Sequence, residues 1–395
     1  MNHKVGLLVI SLIWCISISA ALNGNVVSAQ TNQEIWHYTA NGCVYSSPCV
    51  VDGIVYVGSD DQNVYALNAS SGEKVWNYTT GDGVSSSPCI VDGIVYIGSD
   101  DDNVYALDAT MGTKIWNYTT GGNIQSAPFV TEGIVYVGSI DNNVYALNAT
   151  TGTKVWNYTT GSPIPSSPSC INGVVYVGSF DFNFYALNAS SGEKIWKYVA
   201  GNVISSAPCI VNGVVYIGSA DGNIYALNAT SGTKLWNYRT GSVVTSSPCF
   251  DSGVIYVGSD DRNVYALNAS SGKKIWNYTT GHYVSMSSPC VADGVVYVGS
   301  CDGNLYALNA SSGEKIWNYK TGDLVVSSPC FASNVVYVGS NDGNVYALNA
   351  TAAANIQADS SPNWNNYIIV TFTIVIAVSA AVGIAYIRKH HRQPK

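Results

Sequence analysis

A tryptophan returns every 40 residues along this chain. Trp36, Trp76, Trp116, Trp156, Trp196, Trp236, Trp276 and Trp317 keep that spacing except for one longer step, and Tyr-Ala-Leu returns on the same beat from Tyr65 to Tyr346. The extra residue falls between Gly281 and Cys290, in "GHYVSMSSPC". So regular a repeat is one small unit that buries its apolar surface against its own copies. Periods of about 40–45 residues with four strands each mark propeller blades.

One copy parses into four strands. "VSSSPCIV" (Val84 to Val91) reads as strand A and turns at Asp92-Gly93. "IVYIGS" reads as strand B, alternating in character and rich in β-branched and aromatic residues. "DDDN" makes a hairpin turn into strand C, "VYALDA", and "TMG" turns into strand D, "TKIWNYTT". Asp-Gly, Asn-Gly and Ser-Gly supply the left-handed positions that tight hairpins need. Charged residues make up only 11% of the chain, while Gly and Tyr number 38 and 28. That composition disfavours long charged helices and suits short strands and turns.

Counting strands predicts how the ring closes. There are eight A-B-C sets but only seven are followed by a Trp-bearing strand D. The missing strand stands at the start, as "EIWHY" (Glu34 to Tyr38). The fold expected is therefore an all-β, eight-bladed β-propeller whose N-terminal strand completes the last blade and leaves no long open edge.

The residues around each Trp carry a family resemblance. Ala66, Asn68, Gly72 and Trp76, like Ala106, Asp108, Gly112 and Trp116, fill the pattern Ala-x-Asp-x-x-x-Gly-x-x-x-Trp, and five further copies follow, ending with Ala307, Asn309, Gly313 and Trp317. This resembles the tryptophan-docking repeat of the quinoprotein (PQQ-like) β-propellers, BamB-like repeats included, over about residues 34–350. The resemblance implies that each Trp docks between neighbouring blades. The family holds quinone-dependent dehydrogenases, the assembly lipoprotein BamB and surface proteins of unknown ligand, so fold does not choose the chemistry. Its dehydrogenases use a vicinal Cys-Cys pair and a Ca²⁺ held by acidic and amide residues. This chain has no Cys-Cys pair and no long inserts between repeats. Neither a quinone cofactor nor catalysis is expected, and a Ca²⁺ site, though conceivable, lacks an Asp-x-Asp-x-Asp-Gly loop.

Away from the termini the only histidines are His37 and His282, and nothing sets either beside a nucleophile. Cys49, Cys89, Cys209, Cys249, Cys290 and Cys330 hold one repeat position, where Phe129 and Ser169 stand in the other two copies. Sheets packed about 10 Å apart hold equivalent positions beyond the roughly 7 Å Cα separation a disulfide tolerates. These six are expected to be small buried hydrophobes.

Both ends read as targeting segments. Residues 1–29 open with a basic stretch, continue with an apolar run from Val5 to about Ala21 and offer Val27-Ser28-Ala29 for cleavage: a secretory signal peptide. Residues 30–350 form the propeller and 351–366 a linker. Residues 367–387 are uncharged and, as a helix, would span about 31 Å, the depth of a bilayer core. The basic tail, 388–395, is then cytoplasmic and the propeller outside. A sorting tail that is later cleaved would fit the same pattern. The body keeps all 25 acids and only 12 of the 17 bases, which argues against a nucleic-acid partner.

Variation among the copies concentrates on one face. The C–D turns are monotonous ("NASSGEK", "NATTGTK"), while the B–C turns ("SDDQN", "SFDFN", "SCDGN") and the D–A links ("TGDGVSS", "TGHYVSM") differ. The B–C/D–A face is thus the candidate recognition face for a protein or glycan partner. On it stand Asp60, Asp61, Asp100, Asp101, Asp102, Asp260, Arg262, His282 and Tyr283, with Phe180 and Phe182 as an apolar pair in a turn that is polar in most copies. The Asp recurring in every B–C turn is expected to cap its own turn, and Phe184 to pack. Sequons at Asn68, Asn148, Asn188, Asn228, Asn268, Asn309 and Asn349 lie in C–D turns, and others at Asn77, Asn117, Asn157 and Asn277 follow the Trp. Outside the cell these are glycosylation candidates that would leave the variable face bare.

Overall fold

The computed structural model describes residues 33–351. They form 32 strands, β1 to β32 in chain order, in eight four-stranded antiparallel sheets, and there is no helix among them. The expected signal peptide, membrane helix and tail lie outside the described residues. Blade 1 comprises β2 (Cys49–Val51), β3 (Ile54–Gly58), β4 (Asn63–Asn68) and β5 (Lys74–Thr79), in the order A to D. Blades 2 to 7 repeat it.

Closure follows the strand count. β1 (Glu34–Thr39) pairs with β32 (Asn344–Asn349) as the outer strand of blade 8, Trp36 lying opposite Ala347. At this seam Thr39 Oγ1 donates to Asn344 Oδ1 at 2.6 Å, and the Tyr319 hydroxyl of blade 7 bonds Glu34.

Burial explains the strand sequences. Val64, Tyr65, Ala66 and Leu67 of β4 are all buried, and so are the last four residues of β3. Strand B was expected to alternate, but each sheet is sandwiched between two others, so both faces of its middle strands are covered. Strand D alone reads as an outer edge, with its Trp buried and its neighbours exposed. A bulge opposite Ala66 and Leu67 adds Val75 to strand D and aims the indole at the next blade.

Each docking Trp reaches forward. Trp76 Nε1 donates to the Ala109 carbonyl of blade 2 at 2.9 Å, and its indole lies on Gly112, where an added Cβ would come within 2.6 Å of the ring. Seven indoles make this bond, from Trp36 to Ala69 through Trp276 to Ala310. Trp317 packs with Tyr346 and Leu348. The same Ala109 carbonyl takes a second bond, from the Tyr56 hydroxyl at 3.1 Å, and Tyr56 lies 5.9 Å from Trp76. Strand-B tyrosine is therefore half of the docking device. Its fixed place in "VYVGS" was the available signal.

Strand A is shorter than expected. Only Cys89–Val91 is strand, not Val84 to Val91. Pro88 lacks an N–H, and the serines before it turn to the neighbouring blades. Ser86 Oγ accepts from Gly98 N and donates to the Ser126 carbonyl of blade 3. Ser47 N donates to Ser87 Oγ, and Ser328 N to Ser47 Oγ across the seam. "SSP" is thus a hub of blade-to-blade hydrogen bonds. All nine described cysteines are free thiols. The six in strand A tuck between inner strands, Cys330 against the core of blades 8 and 1 and Cys89 against that of blades 2 and 3. Burial pushes the Cys89 thiol up to about 11.

Candidate recognition face

The B–C turn is built around its Asp. Asp61 Oδ1 accepts from Asn63 N at 3.0 Å, which caps the turn as expected. Asp61 Oδ2 takes the Tyr65 hydroxyl at 2.6 Å and Asn41 N at 2.9 Å, so the carboxylate also clamps the D–A link. Every blade repeats both bonds. The Tyr–Asp distances run 2.6–2.8 Å, and the link amide comes from Asn41 or from a Gly such as Gly81. Burial alone would raise the Asp61 carboxyl, but the bonds from Tyr65, Asn41 and Asn63 hold it below the usual range. The same balance lowers Asp101, Asp141, Asp181, Asp221, Asp261 and Asp302. Asp61 and Asp101 are therefore framework, their oxygens already engaged.

The residues on either side of that Asp are the variable ones. The preceding position holds Asp60, Asp100, Ile140, Phe180, Ala220, Asp260, Cys301 and Asn341; its amide donates to the D–A link, as Asp60 N does to the Cys43 carbonyl. The following position has positive φ in all eight blades: Gln62, Asp102, Asn142, Phe182, Gly222, Arg262, Gly303 and Gly343, between 70° and 85°. Such a backbone favours Gly or Asn, so Phe182 and Arg262 are held there against their preference.

Three groupings result. In blades 1 and 2, Gly83 lies between two carboxylates: a Cβ on it would stand 3.3 Å from Asp60 Oδ1 and 3.6 Å from Asp100 Oδ2. Burial and then the neighbouring Asp100 and Asp82 charges raise the Asp60 carboxyl. Asp100 is raised too, chiefly by burial, with bonds from Asn123 and Ser85 opposing. Among the described residues, no three His, Cys, Asp or Glu side chains converge closely enough to hold a metal ion. In the link after blade 6, the His282 and Tyr283 rings stand 4.2 Å apart, beside exposed Met286. Met286 is the extra residue of the long step, with φ 65°. Nearby, Asp260 Oδ1 is buried without a partner.

Blade 4 holds the third grouping, on β16 (Asn183–Asn188) and β17 (Lys194–Val199). Phe180 and Phe182 are 38% and 45% exposed. The Phe182 carbonyl accepts from Ala200 N, next to Val199, which is 63% exposed. Phe184 lies within strand C, fully buried, and packs on Tyr176 and Trp196. A separate cleft of about 290 Å³ opens between blades 4 and 5 on the opposite face, beside Tyr176 and Trp196.

The sequons fall into two geometric classes. Asn68 Oδ1 accepts from Ser70 N and Ser71 N, and Asp108 does the same for Thr110 and Met111, so either residue serves the turn. Asn77 is tied at both ends, its Nδ2 donating to Asn63 Oδ1 and its Oδ1 accepting from Lys74 Nζ. The Asn68 class sits in the C–D turns, away from the B–C turns, whereas the Asn77 class lies beside Asn63, the residue that closes the B–C turn.

A family model described as "Beta-alanine-activating enzyme, beta-propeller" matches residues 11–213 and 171–363. No curated protein matches the sequence. Among solved structures, BamB from Moraxella catarrhalis superposes with a TM-score of 0.71 at 20% identity, over 80% of this chain and 99% of that one. The computationally designed Ika8 protein gives 0.73 at 18%, with 80% and 99% covered. Quinohemoprotein alcohol dehydrogenase from Comamonas testosteroni gives 0.69 at 18%, with 82% and 78% covered. At these identities the likeness is one of fold.

Proposed function

The chain belongs to the β-propeller family described for the beta-alanine-activating enzyme, with a PQQ-like, BamB-like propeller fold, and from that premise we propose that it is a non-catalytic binding platform at the cell surface. Its B–C/D–A face receives a protein or glycan partner. One observation carries this reading: a backbone frame fixed identically in eight blades by the Asp–Tyr–link clamp presents, on either side of that Asp, side chains that differ from blade to blade. A frame that holds still while its outward residues change suits recognition better than chemistry. No cofactor is required.

In this reading residues 1–29 direct export and 367–387 anchor the chain. The last strand C ends at Asn349, on the C–D side, which turns the monotonous face toward the membrane and the variable face outward. Glycans on the Asn68 and Asn77 classes would coat the inner face and rim.

The test is capture by the full-length chain on glycan arrays and from surface-protein extracts, compared between two variants. Asp60→Asn with Asp100→Asn alters the variable face, and Glu73→Gln with Glu193→Gln alters the other. Loss with the first pair alone is expected; equal loss with both, or none, overturns the face assignment. A quinone absorbance and dye-coupled alcohol oxidation after incubation with pyrroloquinoline quinone would replace this reading by an oxidoreductase one.

A further inference from the structure

Blade 4 departs from the repeat at four neighbouring positions. Phe182 replaces a polar residue or Gly in the turn, and Phe180 a residue that is polar or small in every other blade but blade 3, which has Ile140. Lys197 and Val199 replace the Asn and Thr that strand D carries in blades 1, 2, 3 and 6. In blade 1, Asn77 Nδ2 and Thr79 Oγ1 both donate to Asn63 Oδ1. In blade 5, Asn237 alone suffices for Asn223. Blade 4 has neither donor, so Asn183, only 9% exposed, keeps Oδ1 buried without a partner. A buried, unsatisfied acceptor is destabilising, as are an exposed Phe and a Phe at positive φ. Costs gathered at one place on the surface mark a site.

β17 is also an open edge. It pairs only with β16, and Lys197-Tyr198-Val199 carries no sequon, unlike the strands D of blades 1, 2, 3 and 6. The charge of the face selects the partner. Fourteen carboxylates stand in the B–C turns and D–A links against Arg262 there and Lys197, Arg239 and Lys320 on the neighbouring ends of strands D, so the face is acidic. We infer that this blade-4 patch docks an extended, basic segment of a partner protein, which seats an apolar side chain on Phe180, Phe182 and Val199 and brings a hydrogen-bond donor to Asn183 Oδ1. The inference rests on the platform reading above and names its partner's chemistry. Edge addition supplies main-chain hydrogen bonds and the apolar patch gives register. The acidic face speeds encounter with a basic segment.

Fluorescence anisotropy of the full-length chain with labelled Lys-Leu-Lys-Phe-Lys-Leu-Lys tests it, with Glu in place of every Lys as the control peptide. The basic peptide is expected to bind at least tenfold more tightly than the acidic one. Phe182→Gly removes the anchor and relieves the backbone, so the variant folds; it should weaken binding at least tenfold. Lys197→Asn restores an internal donor to Asn183 and takes a positive charge away from the site. It should weaken binding although the charge change alone would strengthen it. Gln62→Gly, the same turn position in blade 1, should leave affinity unchanged. Equal affinity for the two peptides, or undiminished binding by Phe182→Gly, overturns the proposal. If the basic peptide instead loses affinity only with Asp60→Asn and Asp100→Asn, the platform stands and blade 4 falls. Binding of glycans in place of either peptide, abolished by Phe182→Gly, would overturn the protein partner.

Discussion

At the scale of single residues, the docking geometry makes one position especially intolerant. Gly112 has φ 69° and faces the Trp76 indole at 2.6 Å from any added Cβ. Gly112→Ala combines a strained backbone with overpacking and should cost about 2–4 kcal/mol, read as a lower unfolding temperature with an unchanged denaturant slope. Gly93, with φ 75°, has nothing within 4 Å of a Cβ, so Gly93→Ala meets the backbone term alone and should cost about 1 kcal/mol. The opposite sign is expected at Lys197→Asn, which satisfies Asn183 and should stabilise the free protein by about 1 kcal/mol in thermal melts. The Gly-Trp spacing was legible in the sequence because a clash at fixed separation leaves a fixed spacing. The orphaned Asn183 was not, because it shows only when strand C and strand D are set side by side.

At the scale of elements, the sequence and the structure agree on strands B, C and D to within a residue or two and part at strand A. Val84 to Val91 carries the apolar and β-branched residues of a strand, yet Ser86 donates to the next blade, Ser87 accepts from the previous one and Pro88 has no N–H to give. Composition reports which residues tolerate an extended backbone; it does not report which neighbour takes the hydrogen bonds. The turn Asp shows the same limit. Its capping role is visible in Asp-x-Asn, but its clamp on the preceding link joins groups 20 residues apart. The strand-A cysteines were legible, since Phe129 at one copy marks an apolar slot. All six are free thiols, Cys290 buried and the other five half-buried, so the unfolding temperature should be the same with and without reductant. A thiol reagent should modify Cys290 at a rate set by unfolding, and half-buried Cys89, whose thiol burial raises, more slowly than an exposed cysteine.

At the scale of the whole molecule, two sets of carboxylates set opposed pH dependences. Seven turn carboxyls are held below their ordinary value, so their stabilisation is complete above about pH 4 and is lost as pH falls through the lowered values. Asp60, Asp100 and Asp260 are raised, so acidification first protonates them and relieves a cost. The unfolding temperature should therefore rise slightly from neutral toward mildly acidic pH and fall steeply below about pH 4. Calorimetry across that range checks both limbs, and Asp60→Asn with Asp100→Asn should flatten the first alone. The closure seam has a consequence in time. β1 is made early, but its partner strand lies 305 residues later in the chain. At about 5–20 residues per second, its edge waits roughly 15–60 s for a sheet. Seven blades can assemble in order as they emerge, while "EIWHYT" must be kept from pairing with any of their outer strands. The first strand synthesised is thus the last to find its place, and a nascent chain halted before β32 is an open arc with a vagrant strand at its head.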